Sequence, residues 1–270
     1  MKKEMQKAED LLTPVGELAR EVGGYIRRQQ EGLAGADVEA KGTHDYVTRV
    51  DKESERRLVR ALGELLPGSG FLTEEATTRQ HKAEWTWIID PLDGTTNFIH
   101  GASPYAVSIA LQHHDETVLG VVYEITLDEL FAAAGTLPPT LNDKEIRVSH
   151  AASLTQVLLA TGFPFINFDR LDPYMEVLKR FMVETQGVRR LGSAATDLAW
   201  VACGRYDAFY EYNLNPWDVA AGAFLVQRAG GKVCDFRGDG KNYLFGREIV
   251  AAAPGVLDDV LRIIGEYLGG

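Results

Sequence analysis

The sequence predicts a mixed fold, α+β through about residue 150 and α/β from there on. Three observations predict it. Apolar residues recur at helical spacing in the first 66 positions, short β-rich runs follow one another closely after that, and strand-like and helix-like runs alternate beyond residue 150. The expected division is 1–150, an α+β part, and 151–270, an α/β part, packed as one compact unit.

Leu11, Val15, Leu18, Val22 and Ile26 fall on one face of a first helix, with Pro14 expected in its first turn or at a bend. The stretch VDKESERRLVRALGELLPG predicts a second amphipathic helix with Leu58, Leu62, Leu65 and Leu66 on its apolar side, ended by Pro67 and Gly68. FLTEE and WTWIID are β-rich. YAVSIALQHH, TVLGVVYEI and ELFAAA predict an antiparallel meander, and LNDKEIRVS a turn at Asn142-Asp143. The strand-like runs LLATG, VRRLG, DAFYEY, KVCDF and EIVAAA follow. Between or after them come helices in PYMEVLKRFMVE, AATDLAWVACG, PWDVAAGAFLVQRAGG and VLDDVLRIIGEYL.

A chain of 270 residues buries an ample core without disulfides. Cys203 and Cys234 stand apart with no ligand spacing and read as small buried hydrophobes in a reducing compartment. The charged start MKKEMQKAEDLL has no leader pattern and no run reaches membrane-spanning length, so a cytoplasmic protein without membrane contact is expected. With 28 basic against 39 acidic residues, the net charge of −11 disfavours nucleic acid. It would also repel a phosphate ester unless cations sit among the acids.

The acids are placed suggestively. The apolar run WTWII leads straight to Asp90, Pro91 bends the chain, Asp93 follows, and Gly94 allows a tight backbone before a helix start at TTNF. Two converging carboxylates without a counter-charge are costly, and a hard cation relieves that cost. Backbone N–H groups at the helix start suit a phosphate. Asp, Pro and Gly are also ordinary turn formers. Glu74 and Glu75 end another apolar run, Asp218 opens an apolar helix, and Asp51 lies near a third helix start; each has a local role as a turn, dipole or cap residue. Four such acids at element ends in one chain favour a site.

WIIDPLDGTTNF, with TEE upstream and WDVAAG downstream, resembles the inositol monophosphatase family. The resemblance extends over nearly the whole chain through KGTHDYVTRVD, ATGFPF, RRLGSAATDLAWVACGRYDAFYE and AGGKVCDF. It implies a layered αβαβα sandwich of the sugar phosphatase type, with most metal ligands in the first part. It also implies Mg²⁺-dependent, lithium-sensitive hydrolysis of a phosphate monoester, best matched by myo-inositol monophosphate, through activated water and no phosphoenzyme. By the same resemblance, Glu74, Asp90 and the Leu92 carbonyl hold one Mg²⁺, while Asp90, Asp93 and Asp218 hold a second. A weaker third ion lies by Glu74, with Lys41 at a matching nearby position. Asp51 and Thr95 orient and deprotonate the attacking water, with Glu74 beside them, and Glu75 supports the site. Gly94 and Thr95 hold phosphate oxygens; Gly192, Ser193, Ala194 and Glu211 line the alcohol side, near Asp93 and Asp218. A homodimer is expected. Fructose bisphosphate or a nucleotide 3′-phosphate are the related substrates. A regulatory, protein- or RNA-associated factor on this fold is the alternative of another class. One departure is the hairpin after FAAAG, where Gly135 is followed by TLPPT instead of a second glycine and alanine.

Other motifs carry less. His44, His81, His100, His113, His114 and His150 show no paired-ligand spacing, and His113 and His114 are expected on opposite faces of a strand. Ser193 in LGSAA lacks the nucleophile-elbow pattern and reads as a helix cap. AGGKV reads as a helix end. RRLG reads as strand and surface charge, with Arg189 or Arg190 available to a subunit contact.

Overall fold

The computed structural model describes residues 2–30, 38–42, 45–164 and 167–269, apart from the side chains of 38–42, 45 and 46. His44 and the Lys41 side chain lie outside the described residues. Helix α1 (Lys2–Gln30) buries Ala8, Leu11, Val15, Ala19, Val22 and Ile26. Pro14 lies well inside it, not in its first turn. A short ladder, β1 (Val38–Gly42) with β2 (Asp45–Thr48), leads into α2 (Arg49–Leu65). Leu58 and Leu62 of α2 are fully buried, but Leu65 is 38% exposed. It is the last helical residue and lines an open groove with Pro14 and Leu18 instead of joining the core.

The next strands form one seven-stranded sheet. They are β3 (Gly70–Thr73), β4 (Trp85–Asp93), β5 (Ala106–His113), β6 (Glu116–Glu124), β7 (Glu129–Ala134), β8 (Thr140–Leu141) and β9 (Lys144–Glu145), in that order. Helix α3 (Thr95–His100) sits between β4 and β5. β3 runs parallel to β4, and every later neighbour is antiparallel. β3 stops at Thr73, so the glutamates after it belong to a loop. Pro91 does not end β4. Asp90 pairs with Ser108 and Asp93 with Ala106, so one extra residue is absorbed as a bulge around Pro91 and Leu92. Asn142 and Asp143, at φ 46° and 65°, make the expected turn between β8 and β9.

His113 and His114 depart from expectation. His114 has left β5 and turns at φ 56°, and the two ring centroids are 4.4 Å apart. Alternation of faces holds only while the backbone stays extended.

After Glu145 a five-stranded sheet forms from β10 (Leu158–Thr161), β11 (Gly187–Arg189), β12 (Ala208–Tyr212), β13 (Lys232–Cys234) and β14 (Glu248–Ala252). Its order is β11-β10-β12-β14-β13. β10 is parallel to β11 and β12, whereas β14 is antiparallel to both its neighbours, so this sheet is mixed and not wholly parallel. The helices are α4 (Leu171–Glu184), α5 (Ala194–Ala202), α6 (Pro216–Arg228) and α7 (Leu257–Leu268).

Three apolar cores stack these elements as αβαβα. Helices α1 and α2 cover one face of the large sheet through Trp87, Ile89, Val107 and Ile109. Helices α5 and α6 fill the space between the sheets, against Ile88, Ala110 and Val122 on one side and Phe209 and Ala251 on the other. Helices α4 and α7 close the outer face over Tyr210, Val250 and Ala252. Burial on both faces explains why β4 reads as an unbroken apolar run. The middle layer is tight: a Cβ at Gly120 of β6 would lie 2.8 Å from the Ala221 carbonyl oxygen of α6. Both cysteines are free. Among the described residues, no helix is long and apolar enough to cross a membrane.

Candidate active site

The bulge in β4 aims the end of the strand into a cleft of 660 Å³ between the two sheets. Asp90 is buried and accepts the Leu92 N–H at 2.9 Å, which sets the turn. Gly94 follows at φ 91°, a left-handed conformation that side chains other than glycine adopt at a cost of about 1–2 kcal/mol. Helix α3 begins at the next residue. Glu74 lies beyond β3, parallel to β4, and its N–H donates to the Ile89 carbonyl at 3.3 Å. Its side chain comes within hydrogen-bond reach of Asp90. Asp218 arrives from the middle layer. It occupies the third position of α6, two residues after Pro216, where its Oδ2 accepts the Asn215 N–H at 2.6 Å.

Burial, then the charges of Glu74, Asp93 and Asp218, push the Asp90 carboxyl well above its ordinary value. Burial, with Glu74 and Asp93, does the same to Asp218. Burial raises Asp93 to about 6, opposed by the Ser193 hydroxyl and the Ala195 and Ala194 N–H groups. Four mutually repelling hard oxygen donors at one end of a cleft fit a hard divalent cation, whose charge removes the repulsion.

Asp51 and Thr95 stand beside this cluster. Thr48 caps α2, and Asp51 at its third position completes the capping box, so Asp51 is not itself the cap. Its Oδ2 accepts the Thr48 N–H at 2.9 Å, leaving Oδ1 for the Thr95 hydroxyl, also at 2.9 Å. Thr95 Oγ1 is 3.0 Å from the Leu92 carbonyl as well and has one proton to share between the two acceptors. Asp51 is fully buried, and burial raises its pKa against the pull of the Thr48 and Thr95 hydrogen bonds.

Opposite lies the α5 start. Ser193 caps α5, accepting the Thr196 N–H at 3.3 Å, and donates its hydroxyl to Asp93 Oδ2 at 2.6 Å. Gly192, Ser193 and Ala194 line the cleft with Glu211. Glu211, on β12, is buried and raised to about 8, mainly by burial, with Arg190 opposing and Asp93 reinforcing the shift. A Cβ on Gly162 would fall 1.9 Å from its Oε1, so the backbone there packs flush against the carboxyl.

Glu74, Asp90, Asp93, Gly94, Thr95, Gly192, Ser193, Ala194, Glu211 and Asp218 line the cleft, and Asp51 adjoins it through Thr95. Sequence reading missed the supports. Glu55 is buried and accepts the N–H groups of Glu75 at 2.7 Å and Thr77 at 2.6 Å, clamping the loop that carries Glu74. Its spacing from Asp51, Leu58 and Leu62 on one helix face was the available signal. Asn97 donates to the carbonyls of Pro104 at 2.7 Å and Leu191 at 2.8 Å, tying α3 to the α5 approach. Arg190 lines the cleft, with its guanidinium 5.5 Å from the Phe163 ring centroid, whereas Arg189 ends β11 exposed.

Glu211 gives a pH test. Its folded pKa of about 8 lies above the ordinary 4.5, so the folded state holds the proton more tightly. Stability is then lost as pH rises from 4.5 through 8. Arg190, Asp93, Asp197 and Asp218 are the charged groups around it. Relative to Glu211→Gln, the wild type is expected to lose stability across this window, by up to roughly 5 kcal/mol. Denaturant melts at pH 5, 7 and 9 measure it, and parallel curves would refute it.

The chain is similar to known proteins along most of its length. The family model described as "Inositol monophosphatase family" matches residues 7–266. The Nus factor SuhB of Pseudomonas aeruginosa is 44% identical over 225 residues, 82% of this chain and 83% of that protein. The inositol-1-monophosphatase of Mesorhizobium japonicum is 37% identical over 249 residues, 90% of this chain and 94% of that one. The solved structure of the Thermotoga maritima IMPase superposes with a TM-score of 0.88 at 34% identity, covering 96% of this chain and 98% of its own. With a family match across nearly its full length, and two sheets and three helical layers in the arrangement of its solved relatives, the chain belongs to the inositol monophosphatase family.

Proposed function

We propose that this protein is a Mg²⁺-dependent phosphomonoesterase acting on a small phosphorylated polyol, with myo-inositol monophosphate the preferred ester. The convergence of Glu74, Asp90, Asp93 and Asp218 beside the Asp51–Thr95 pair carries the reading. Glu74, Asp90 and the Leu92 carbonyl would hold one ion, and Asp90, Asp93 and Asp218 a second. A third, more weakly held ion would sit by Glu74. Bound there, the ions would neutralise the phosphoryl charge, lower the pKa of water and stabilise the leaving oxygen.

The chain's own residues do the rest. Asp51 Oδ1 accepts the Thr95 proton, which leaves Thr95 Oγ1 free to take one from a water in line with phosphorus. Leu92 O competes for the same hydroxyl and holds it in place in the resting enzyme. The N–H groups of Gly94 and Thr95 face the equatorial phosphoryl oxygens, where the transition state spreads its charge. Glu211 keeps its proton at neutral pH and can both donate to and accept from a substrate hydroxyl. Gly192, Ser193 and Ala194 form the wall against which the alcohol ring lies.

The protein is read as a cytoplasmic homodimer inhibited by lithium. A second reading, a regulatory role with a protein partner, is favoured by the name Nus factor carried by several relatives, the Pseudomonas aeruginosa protein among them. Phosphate release from inositol monophosphates, glycerol phosphate, fructose bisphosphate and adenosine 3′,5′-bisphosphate, with Mg²⁺ titrated and a chelator control, tests both. Chelator-sensitive turnover highest on the inositol esters is expected. No turnover on any ester from folded, Mg²⁺-loaded protein would remove the enzymatic reading and leave the regulatory one.

A further inference from the structure

The far end of β4 gathers a separate group of side chains of the kinds that can ligate a metal. Glu84 directly precedes the strand, His113 ends β5 opposite Trp85, and His114 begins the turn into β6. One ligand atom from each lies within 4.8 Å of the others. Asp90 lies six rises along the extended chain from Glu84, so this cluster is roughly 20 Å from the cleft acids.

The backbone holds the three together. Trp85 is in register with His113, and the His114 N–H donates to the Glu84 carbonyl at 2.7 Å. The positive φ of His114 swings its imidazole round to the His113 side. His113 is restrained further. Its ring packs on Trp85 with centroids 4.4 Å apart, and its Nε2 is 3.4 Å from Glu84 Oε1. The side chain of Glu84 is 66% exposed, so it can move to meet an ion. His114 is exposed too. Bonds of about 2 Å in a tetrahedral site require donors about 3.3 Å apart, a closure within reach of side-chain torsions. Two bases stand near: Lys82 is engaged with Asp115 at 3.3 Å, and Lys7 lies over the Trp85 ring, 4.7 Å from its centroid.

We infer that Glu84, His113 and His114 form a surface site for a borderline transition ion of the Zn²⁺ class, distinct in place and in ligand chemistry from the cleft. Two imidazoles and one carboxylate leave a fourth position for water and select against Mg²⁺, which prefers six oxygens. An ion here would join the start of β4 to the β5–β6 turn. The site stands whether or not the cleft hydrolyses phosphate esters.

Co²⁺ is the probe. In saturating Mg²⁺, wild-type protein titrated with Co²⁺ is expected to develop the intense visible absorption of a four-coordinate ion with nitrogen ligands, displaceable by Zn²⁺. Six-coordinate Co²⁺ among cleft carboxylates absorbs weakly and cannot mimic it. His114→Asn keeps the turn, because asparagine tolerates positive φ. It is expected to lose the band and weaken this site's Co²⁺ affinity at least about tenfold, since loss of even an outer-shell partner of a ligand costs about 10–100-fold. Glu84→Gln, on an exposed side chain, should weaken it in the same direction. Equal Co²⁺ binding and equal spectra in wild type and both variants, or no four-coordinate band in the wild type, would overturn the site.

Discussion

Asp93→Asn is expected to lower Mg²⁺-supported turnover by about a hundred- to a thousandfold, the scale of removing one preorganised charge from a transition state. The same variant is expected to melt at a higher temperature than wild type in chelator at neutral pH. Both effects come from one carboxylate. Its folded pKa of about 6 exceeds the ordinary 3.8, so in metal-free protein the cost of ionising it grows between those values and is complete above 6. The neutral amide carries no such cost and still offers an oxygen to Ser193 and the Ala195 N–H, which now bind Asp93 Oδ2. Turnover and metal-free stability thus move in opposite directions, which a general folding defect cannot produce. Near-wild-type turnover at ordinary Mg²⁺ would remove Asp93 from the metal site.

Thr95→Ala is expected to reduce kcat by about 10²–10⁴-fold, the usual contribution of a positioned proton acceptor. KM should change little. The Thr95 side chain touches Asp51 and Leu92, and the phosphate is assigned to backbone N–H groups that alanine retains. Thr95→Ser keeps the hydroxyl and should recover most of the rate. A rise in KM with kcat preserved would show that the hydroxyl binds substrate and leaves the proton transfer elsewhere.

The acids stand out in the sequence because each sits at the edge of an apolar run: Asp90 and Glu74 follow one, and Asp218 opens one. The layers were legible for the same reason: WTWII is apolar on both faces because helices cover both. What stayed hidden depends on long-range closure. Glu55 looks like one more charge on a charged helix until the loop at Glu75 and Thr77 folds onto it. Asn97 gains its meaning only when Pro104 and Leu191, far apart in sequence, arrive at its amide. The two histidines after LQ were misread because a turn residue at positive φ breaks the two-residue rhythm of a strand.

The space at Gly120, too small for a Cβ beside the Ala221 carbonyl, has a wider meaning for how this protein tolerates change. Asp218 rides on α6, whose distance from the large sheet is fixed by residues with almost no side chain. The reach of that carboxylate toward Asp90 is therefore a matter of shim thickness. A single methyl inserted between layers would tilt the ligand set from behind, without touching the cleft. Variants that silence the site can thus be expected among alanines and glycines no substrate meets, and a search confined to the cleft walls would pass over them.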